Sequence, residues 1–159
     1  MNKRDHEEIP EELTRGAFRN GEEFAWKQED CARVIEWLRA GGIAVLGMEL
    51  WLPDGQNIRT GIKTKTGPVV ISCSACNPLK AERWGDYVDR SAKSTLGAIA
   101  SFRWPEDAAE PPRPAYFNIT WASRQWFREH SRDNFAEDQV RTTERCKEQP
   151  EIHIVSYTE

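Results

Sequence analysis

The apolar run IAVLGMELWL, from Ile43 to Leu52, constrains the fold of this 159-residue chain more than any other feature. It follows Gly41 and Gly42, and such glycines end helices because glycine accepts left-handed backbone conformations. The run is too short for a second helix, so it predicts a strand buried mainly on one face. Because side chains alternate along a strand, two sets should lie on opposite faces. One set is Ala44, Leu46, Met48, Leu50 and Leu52, and the other is Val45, Gly47, Glu49 and Trp51.

Two other segments have the spacing of amphipathic helices. The apolar stripe of the first consists of Cys31, Val34, Ile35 and Leu38. The second segment begins at Pro78 or Glu82 and continues to Phe102. Trp84 and Val88 are expected on its buried side. Both helices should therefore pack one face against the sheet.

Further short segments predict strands beside the first one. They are Asn57–Thr66, Val69–Cys76, Tyr116–Trp121 and, as an edge strand, Ile152–Tyr157. Short turns between the earlier segments favour an antiparallel meander. The predicted class is therefore α+β, with an antiparallel sheet of about four to five strands packed by two main helices. Residues 1–22 are expected to form a loosely ordered acidic arm, followed by a single domain over residues 23–159.

Composition and charge argue against two classes of partner. The chain is 38% apolar and 30% charged, and no apolar run reaches the roughly 18 residues that span a bilayer. The N-terminus is acidic where a signal peptide would carry an apolar block, which predicts a cytoplasmic protein that binds no membrane. The net charge is −4, and Arg59, Lys63 and Lys65 form only a small basic strip. Nucleic-acid binding is therefore not expected.

Cys73 and Cys76 have the spacing used by metal sites and redox centres. In a strand, side chains three positions apart point to opposite faces, so the two sulfurs could not share one ion. The remaining histidines and cysteines supply no second ligand pair. We therefore expect no metal and no cofactor, and we assign Cys73 to packing. A thiol-dependent redox enzyme remains the alternative, because a strand-to-helix junction can lower a thiol pKa.

The face of the sheet that carries Glu49 and Trp51 is the candidate functional surface. If helices cover only the other face, this one presents Glu49, Trp51, Ser72, Ser74, Tyr116, Asn118 and Thr120. An acid, aromatic rings and hydroxyls together are typical of a protein interface, although a second layer or solvent could equally cover this face. The predicted partner-binding residues are Glu49, Trp51, Tyr116 and Asn118. No catalytic residue is expected, because the common hydrolase, phosphate-loop and zinc-protease motifs do not occur.

Three segments in succession resemble a known family. They are FAWKQEDCARVIEWLRAGGIAVLGMELWL, WGDYVDRSAKSTLGAIASF and AYFNITWASRQ, within about residues 24–126. Their order is similar to that of small immunity-protein families of bacterial polymorphic toxin systems. The resemblance implies a cytoplasmic inhibitor that binds a cognate toxin and catalyses no reaction. The acidic balance agrees with a basic toxin such as a nuclease. The alternatives are the thiol enzyme and a sensor domain that binds a small ligand on the same sheet face.

Overall fold

The computed structural model describes residues 9–75 and 77–130, and the backbone of residues 153–156. Its helices are α1 (Glu11–Thr14), α2 (Cys31–Ala40), α3 (Trp84–Ser101) and α4 (Arg124–His130). Its strands are β1 (Phe18–Asn20), β2 (Glu23–Trp26), β3 (Ala44–Asp54), β4 (Asn57–Arg59), β5 (Gly61–Thr64), β6 (Gly67–Ser74), β7 (Tyr116–Ala122) and β8 (His153–Ser156). The predicted α+β class is confirmed. The sheet has more than the expected four to five strands: eight lie in the described part of the chain.

The sheet is antiparallel, with the order β1-β2-β7-β3-β6-β5, and β4 pairs with β3. The expected meander is not a simple one, because β6 pairs directly with β3 and β5 pairs with β6. Strand β7 lies between β2 and β3, although it comes later in the chain than both of them. Ser72 of β6 pairs with both Glu49 of β3 and His153 of β8, so β8 lies on the edge of β6 opposite β3. This agrees with the edge strand predicted near the C-terminus.

The segment predicted as one strand over Asn57–Thr66 is divided. Its first part, β4, pairs with the end of β3, where Leu52 opposes Arg59. Its second part, β5, pairs with the start of β6. The central strand β3 pairs with β7 along one edge. Along its other edge it pairs first with β6 and then, near its end, with β4. No helix among the described residues is long and apolar enough to cross a bilayer.

The N-terminal segment contributes to the sheet. Within the expected arm over residues 1–22, the chain from Ile9 onward forms α1 and then β1. Residues 1–8 lie outside the described residues. Leu13 packs against the core, and its carbonyl accepts a hydrogen bond from Trp26 Nε1 at 2.7 Å. This contact fixes α1 to the hairpin formed by β1 and β2.

The main core lies between the sheet and the two longer helices. The predicted α2 stripe of Cys31, Val34, Ile35 and Leu38 is buried. It packs with side chains from the facing side of the sheet, namely Val45, Met48, Leu50, Leu52, Phe117, Ile119 and Trp121. Fully burying one such aliphatic side chain contributes about 1.5–3 kcal/mol, so this layer supplies most of the apolar stabilisation.

Helix α3 has the predicted spacing but a slightly different buried side. Val88 is buried as expected, whereas Trp84 is only half-buried. The fully buried aromatic side chain of this turn is Tyr87, whose ring lies 5.5 Å from that of Trp84 and 5.8 Å from that of Phe127 in α4. Trp84 Nε1 instead donates to the Gly42 carbonyl at 2.7 Å. A tryptophan at a helix start can keep its polar edge at the surface in this way.

A β-bulge changes the predicted alternation at the start of β3. The register with β7 shifts between Val45 and Gly47. As a result Val45 lies in the core rather than on the opposite face, and Leu46 is half-buried. The Val45 N–H donates to Ser91 Oγ at 3.2 Å, and Ser91 Oγ donates to the Val88 carbonyl at 3.0 Å. The Ser91 hydroxyl on α3 therefore accepts a hydrogen bond from the Val45 N–H, which the bulge leaves without a partner on the neighbouring strand.

Candidate partner-binding face

Strand pairing brings the four predicted site residues together. In the β3–β7 register, Glu49 lies directly opposite Asn118 and Trp51 lies directly opposite Tyr116. Period two continues without a slip from Met48 to Trp51, so all four residues lie on the face opposite Met48 and the core. We call this side of the sheet the second face. The predicted grouping is therefore reproduced, and the role of these residues in binding stays a prediction.

Ser72 lies next to Glu49 on the second face, and the hairpin of β1 and β2 extends that face beyond β7. Register places Phe18 opposite Ala25 and Ala25 opposite Asn118. The Phe18 ring lies 5.5 Å from that of Tyr116 and 6.5 Å from that of Trp51, edge-on to the latter. Phe18 was missed by sequence reasoning. The signal that could have found it is Asn20-Gly21, since Asn-Gly between two short strands is a strong hairpin indicator.

Trp51 is a packed residue rather than an exposed anchor. Its relative exposure is 6%, and its indole Nε1 donates to Glu49 Oε2 at 3.4 Å. Of the two alternatives for this face, the open one therefore does not hold at Trp51, whose ring is covered. The ring of Phe18, which comes from a strand that sequence reasoning did not predict, packs against it. Trp51 therefore stabilises the second face through its contacts with Phe18 and Glu49.

Asn118 also has a structural role. It is 9% exposed, and its Nδ2 donates to the Phe24 carbonyl at 2.9 Å. This bond joins β7 to β2 close to the place where the two strands pair. The residues of the predicted set that keep exposed surface are thus Glu49 and Tyr116, both half-buried.

The Glu49 carboxylate carries a charge that no described residue neutralises. Its directly paired neighbours are Asn118 on β7 and Ser72 on β6, which are both uncharged. In the part of the chain that the structure describes, its hydrogen bond is the long one from Trp51 and it makes no ion pair. A half-buried carboxylate in such surroundings favours a cation from outside.

The described cysteines are unsuited to thiol chemistry. Burial raises the pKa of Cys73, and the opposing effects of the Met48 backbone and the Thr95 hydroxyl are smaller. Burial, assisted by the charges of Asp30 and Glu29, raises the pKa of Cys31 to about 12. Cys73 packs in the core as predicted. Cys76, the other member of the predicted pair, lies outside the described residues.

The described residues offer little for binding a metal ion or a nucleic acid. Within residues 9–75 and 77–130, no group of three or more His, Cys, Asp and Glu side chains could hold a metal ion. In the predicted basic strip, Arg59 is paired with Glu110 at 2.6 Å, while Lys63 and Lys65 are exposed. The strip is thereby reduced to two lysines.

Comparisons with known proteins found no relative of this chain. No family model matches the sequence, and no curated protein or solved structure matches it either.

Proposed function

We propose that this chain is a non-catalytic, cytoplasmic binding protein that neutralises a cognate bacterial toxin by contact through the second face. The observation that carries the proposal is the half-buried Glu49 carboxylate, which makes no ion pair with any residue that the structure describes and whose hydrogen bond comes from the buried Trp51 indole. The order of segments that resembles immunity proteins supports it from the sequence side. The two main helices pack on the other face and leave the second face to other contacts.

Electrostatics favours a basic partner for this face. Covering a carboxylate with a neutral or acidic surface removes its hydration without replacement, which costs free energy. A lysine or arginine of the partner supplies the missing charge and a hydrogen bond at once. The net charge of −4 also steers a basic partner toward the chain at low salt.

The thiol-enzyme alternative is weaker on physical grounds. Thiol catalysis requires a thiolate, and reactive cysteines have a lowered pKa and an accessible sulfur. Cys73 has the opposite properties, since it is buried and its pKa is raised. Binding a protein partner through surface contacts requires neither a lowered thiol pKa nor an accessible sulfur.

Charge reversal at Glu49 tests the proposal. We expect Glu49→Lys to weaken binding to the protein encoded by the neighbouring gene by about 1–4 kcal/mol, and to abolish rescue from its toxicity. The matched control is Glu12→Lys, an exposed acid on α1, which is fixed to the core side through Leu13. Affinity and a thermal melt are measured for each variant. If a folded Glu49→Lys protein binds the neighbour-encoded protein with unchanged affinity, the second face is not part of the interface.

Trp51 is unsuitable for the same test. Because it is buried, Trp51→Ala should destabilise the fold by about 3–5 kcal/mol and so change binding indirectly. Tyr116→Ala replaces it as the aromatic variant, since Tyr116 keeps exposed surface.

A further inference from the structure

The Glu49 carboxylate lies in the middle of a row of polar side chains that crosses three strands. Asn118 of β7 lies opposite Glu49 on one side, and Ser72 of β6 lies opposite it on the other. Directly paired residues have Cβ atoms about 4.5–5.5 Å apart, so one bound group can contact neighbouring members of the row. Glu49 and Ser72 are half-buried, and Asn118 is 9% exposed. A ligand of this row must therefore reach down to the sheet surface.

The hydrogen bond of Asn118 sets the direction of its side-chain amide. Its Nδ2 donates to the Phe24 carbonyl on β2 at 2.9 Å. The oxygen and nitrogen of an amide lie on different sides of Cγ, and β3 borders β7 on the edge opposite β2. Oδ1 is therefore turned away from β2, toward the side of Glu49. An amide oxygen and a carboxylate only accept hydrogen bonds, so this pair favours a ligand that is rich in donors.

The hydrogen bonds within the second face leave most of the acceptor capacity of Glu49 unused. A carboxylate has about four lone-pair sites, and the donor that Glu49 has among the described residues is Trp51 Nε1, at 3.4 Å from Oε2. None of the described residues forms an ion pair with it.

Tyr116 adds an aromatic ring diagonal to Glu49. It lies opposite Trp51, two residues from Glu49, and diagonal neighbours at about 7–8 Å are within reach of long side chains. The ring of Phe18 lies 5.5 Å from that of Tyr116, and Tyr116 remains half-buried. A long side chain bound at Glu49 can therefore also contact this ring.

We propose that the second face receives an arginine side chain of the protein partner, with its guanidinium on Glu49. The inference rests on the proposed function and specifies the chemistry of the partner. A guanidinium carries five N–H donors in a rigid plane, so it can form two parallel hydrogen bonds with the carboxylate and still donate to Asn118 Oδ1. Its flat face can pack on the ring of Tyr116.

A lysine of the partner would use this site less fully. Its ammonium is a compact, strongly hydrated point charge, whereas a guanidinium is more weakly hydrated and has a fork that matches a carboxylate. A free guanidinium compound offers the same charged group without neighbouring residues. In a protein interface the contacts of such neighbours exclude water from the central charged pair, which favours a side chain held on a partner.

Capped peptides test this on the isotope-labelled full-length chain by NMR. The probe is acetyl-Gly-Arg-Gly-amide, and the matched peptides replace its arginine by lysine or by citrulline, which has nearly the same shape but no charge. We expect the probe to shift the indole Nε1–H signal of Trp51 and the side-chain amide signals of Asn118. The lysine peptide should bind at least about threefold more weakly, and the citrulline peptide at least about tenfold, through loss of the fork and of the charge.

Charge removal at Glu49 provides the variant arm. Glu49→Gln should weaken the arginine peptide at least about tenfold, whereas Glu12→Gln, at an exposed acid of α1, should leave it unchanged. Tyr116→Leu should weaken it about threefold by removing the aromatic face. If a variant fails to fold, the comparison of the three peptides on the unsubstituted chain decides.

Four results overturn the inference: equal binding of the lysine or the citrulline peptide, unchanged binding to a folded Glu49→Gln chain, signal shifts that leave Trp51 and Asn118 unaffected, and binding of methylguanidinium as tight as that of the whole probe. The last result assigns the site to a small guanidinium compound. Loss of toxin rescue in Glu49→Lys without a preference for the arginine peptide leaves the proposed function standing and removes the arginine assignment. A preference for the arginine peptide with unchanged rescue retains the arginine site and removes the toxin interface.

Discussion

At the residue scale, Gly47 is the position in β3 that least tolerates a side chain. It has a φ of +152° next to the bulge, and a Cβ placed there would lie 2.1 Å from the Cys73 carbonyl oxygen. That oxygen belongs to the backbone of β6, so it cannot rotate away. The absence of a side chain at Gly47 allows β6 to approach the central strand.

The first prediction compares two glycines. We expect Gly47→Ala to lower the free energy of unfolding by about 3 kcal/mol, because it combines backbone strain with a clash against a neighbouring strand. Gly97→Ala, on the exposed surface of α3 with open space around a Cβ, should raise it by about 0.5–1 kcal/mol through helix propensity. Urea denaturation of both variants measures this. A Gly47→Ala cost below about 1 kcal/mol would mean that β6 can move away easily.

At the scale of elements, a single carboxylate fixes the proline-rich loop to the sheet. Glu110 accepts two hydrogen bonds from Arg59 Nη2, at 2.6 and 2.7 Å, and one from the Lys63 N–H at 2.9 Å. Backbone bonds continue the contact, because the Ala109 N–H donates to the Lys63 carbonyl at 2.8 Å. This loop leads into β7, so its attachment also positions Tyr116 at the start of that strand.

The second prediction concerns Glu110 and pH. The Arg59 hydrogen bonds hold the pKa of Glu110 below its ordinary value of 4.5, helped by the Lys63 N–H and by the charges of Arg59 and Arg113. A lowered pKa in the folded state means that the stabilisation is complete above the unfolded pKa. It is lost as the pH falls through the folded pKa.

Glu110→Gln should therefore cost about 1–3 kcal/mol at neutral pH, as expected for a charged hydrogen-bond acceptor that is 16% exposed. The difference from the unsubstituted chain should narrow below a pH of about 4.5. Denaturant titrations across this range measure it, with Glu106→Gln as the exposed control in the same loop. A difference that does not change with pH would show that the carboxylate charge is not the stabilising feature.

At the scale of the whole molecule, one apolar core connects the helices to the sheet. Cys31 on α2 and Cys73 on β6 lie in the same buried cluster, although they come from opposite sides of it. If this cluster unfolds as one cooperative unit, both thiols should become accessible in the same event.

The third prediction uses thiol labelling in a Cys76→Ser/Cys146→Ser background. At mildly alkaline pH we expect Cys31 and Cys73 to react slowly with a disulfide reagent, since burial raises the pKa of both. They should react at one common rate that rises with denaturant. Two clearly separated rates would show that α2 opens independently of the sheet.

Local periodicity was sufficient to predict several elements from the sequence. The spacing around Cys31 and Val34 determined α2, and the apolar run before Leu52 determined β3. The grouping of Glu49 with Trp51 followed from period two, which depends only on neighbouring residues and survives wherever the strand has no bulge. At Val45 a bulge intervened, so the same rule was wrong there.

Only the tertiary structure decided the order of the sheet and the exposure of the site. The position of β7 between β2 and β3 depends on contacts between residues far apart in the chain, which leave no local pattern. Trp51 has the same sequence context whether it is open or covered, and its burial involves Phe18 from the first hairpin. The residues of the second face were thus determined by the sequence. Which of them keep exposed surface depended on packing between distant segments, because burial depends on what lies next to a side chain in space.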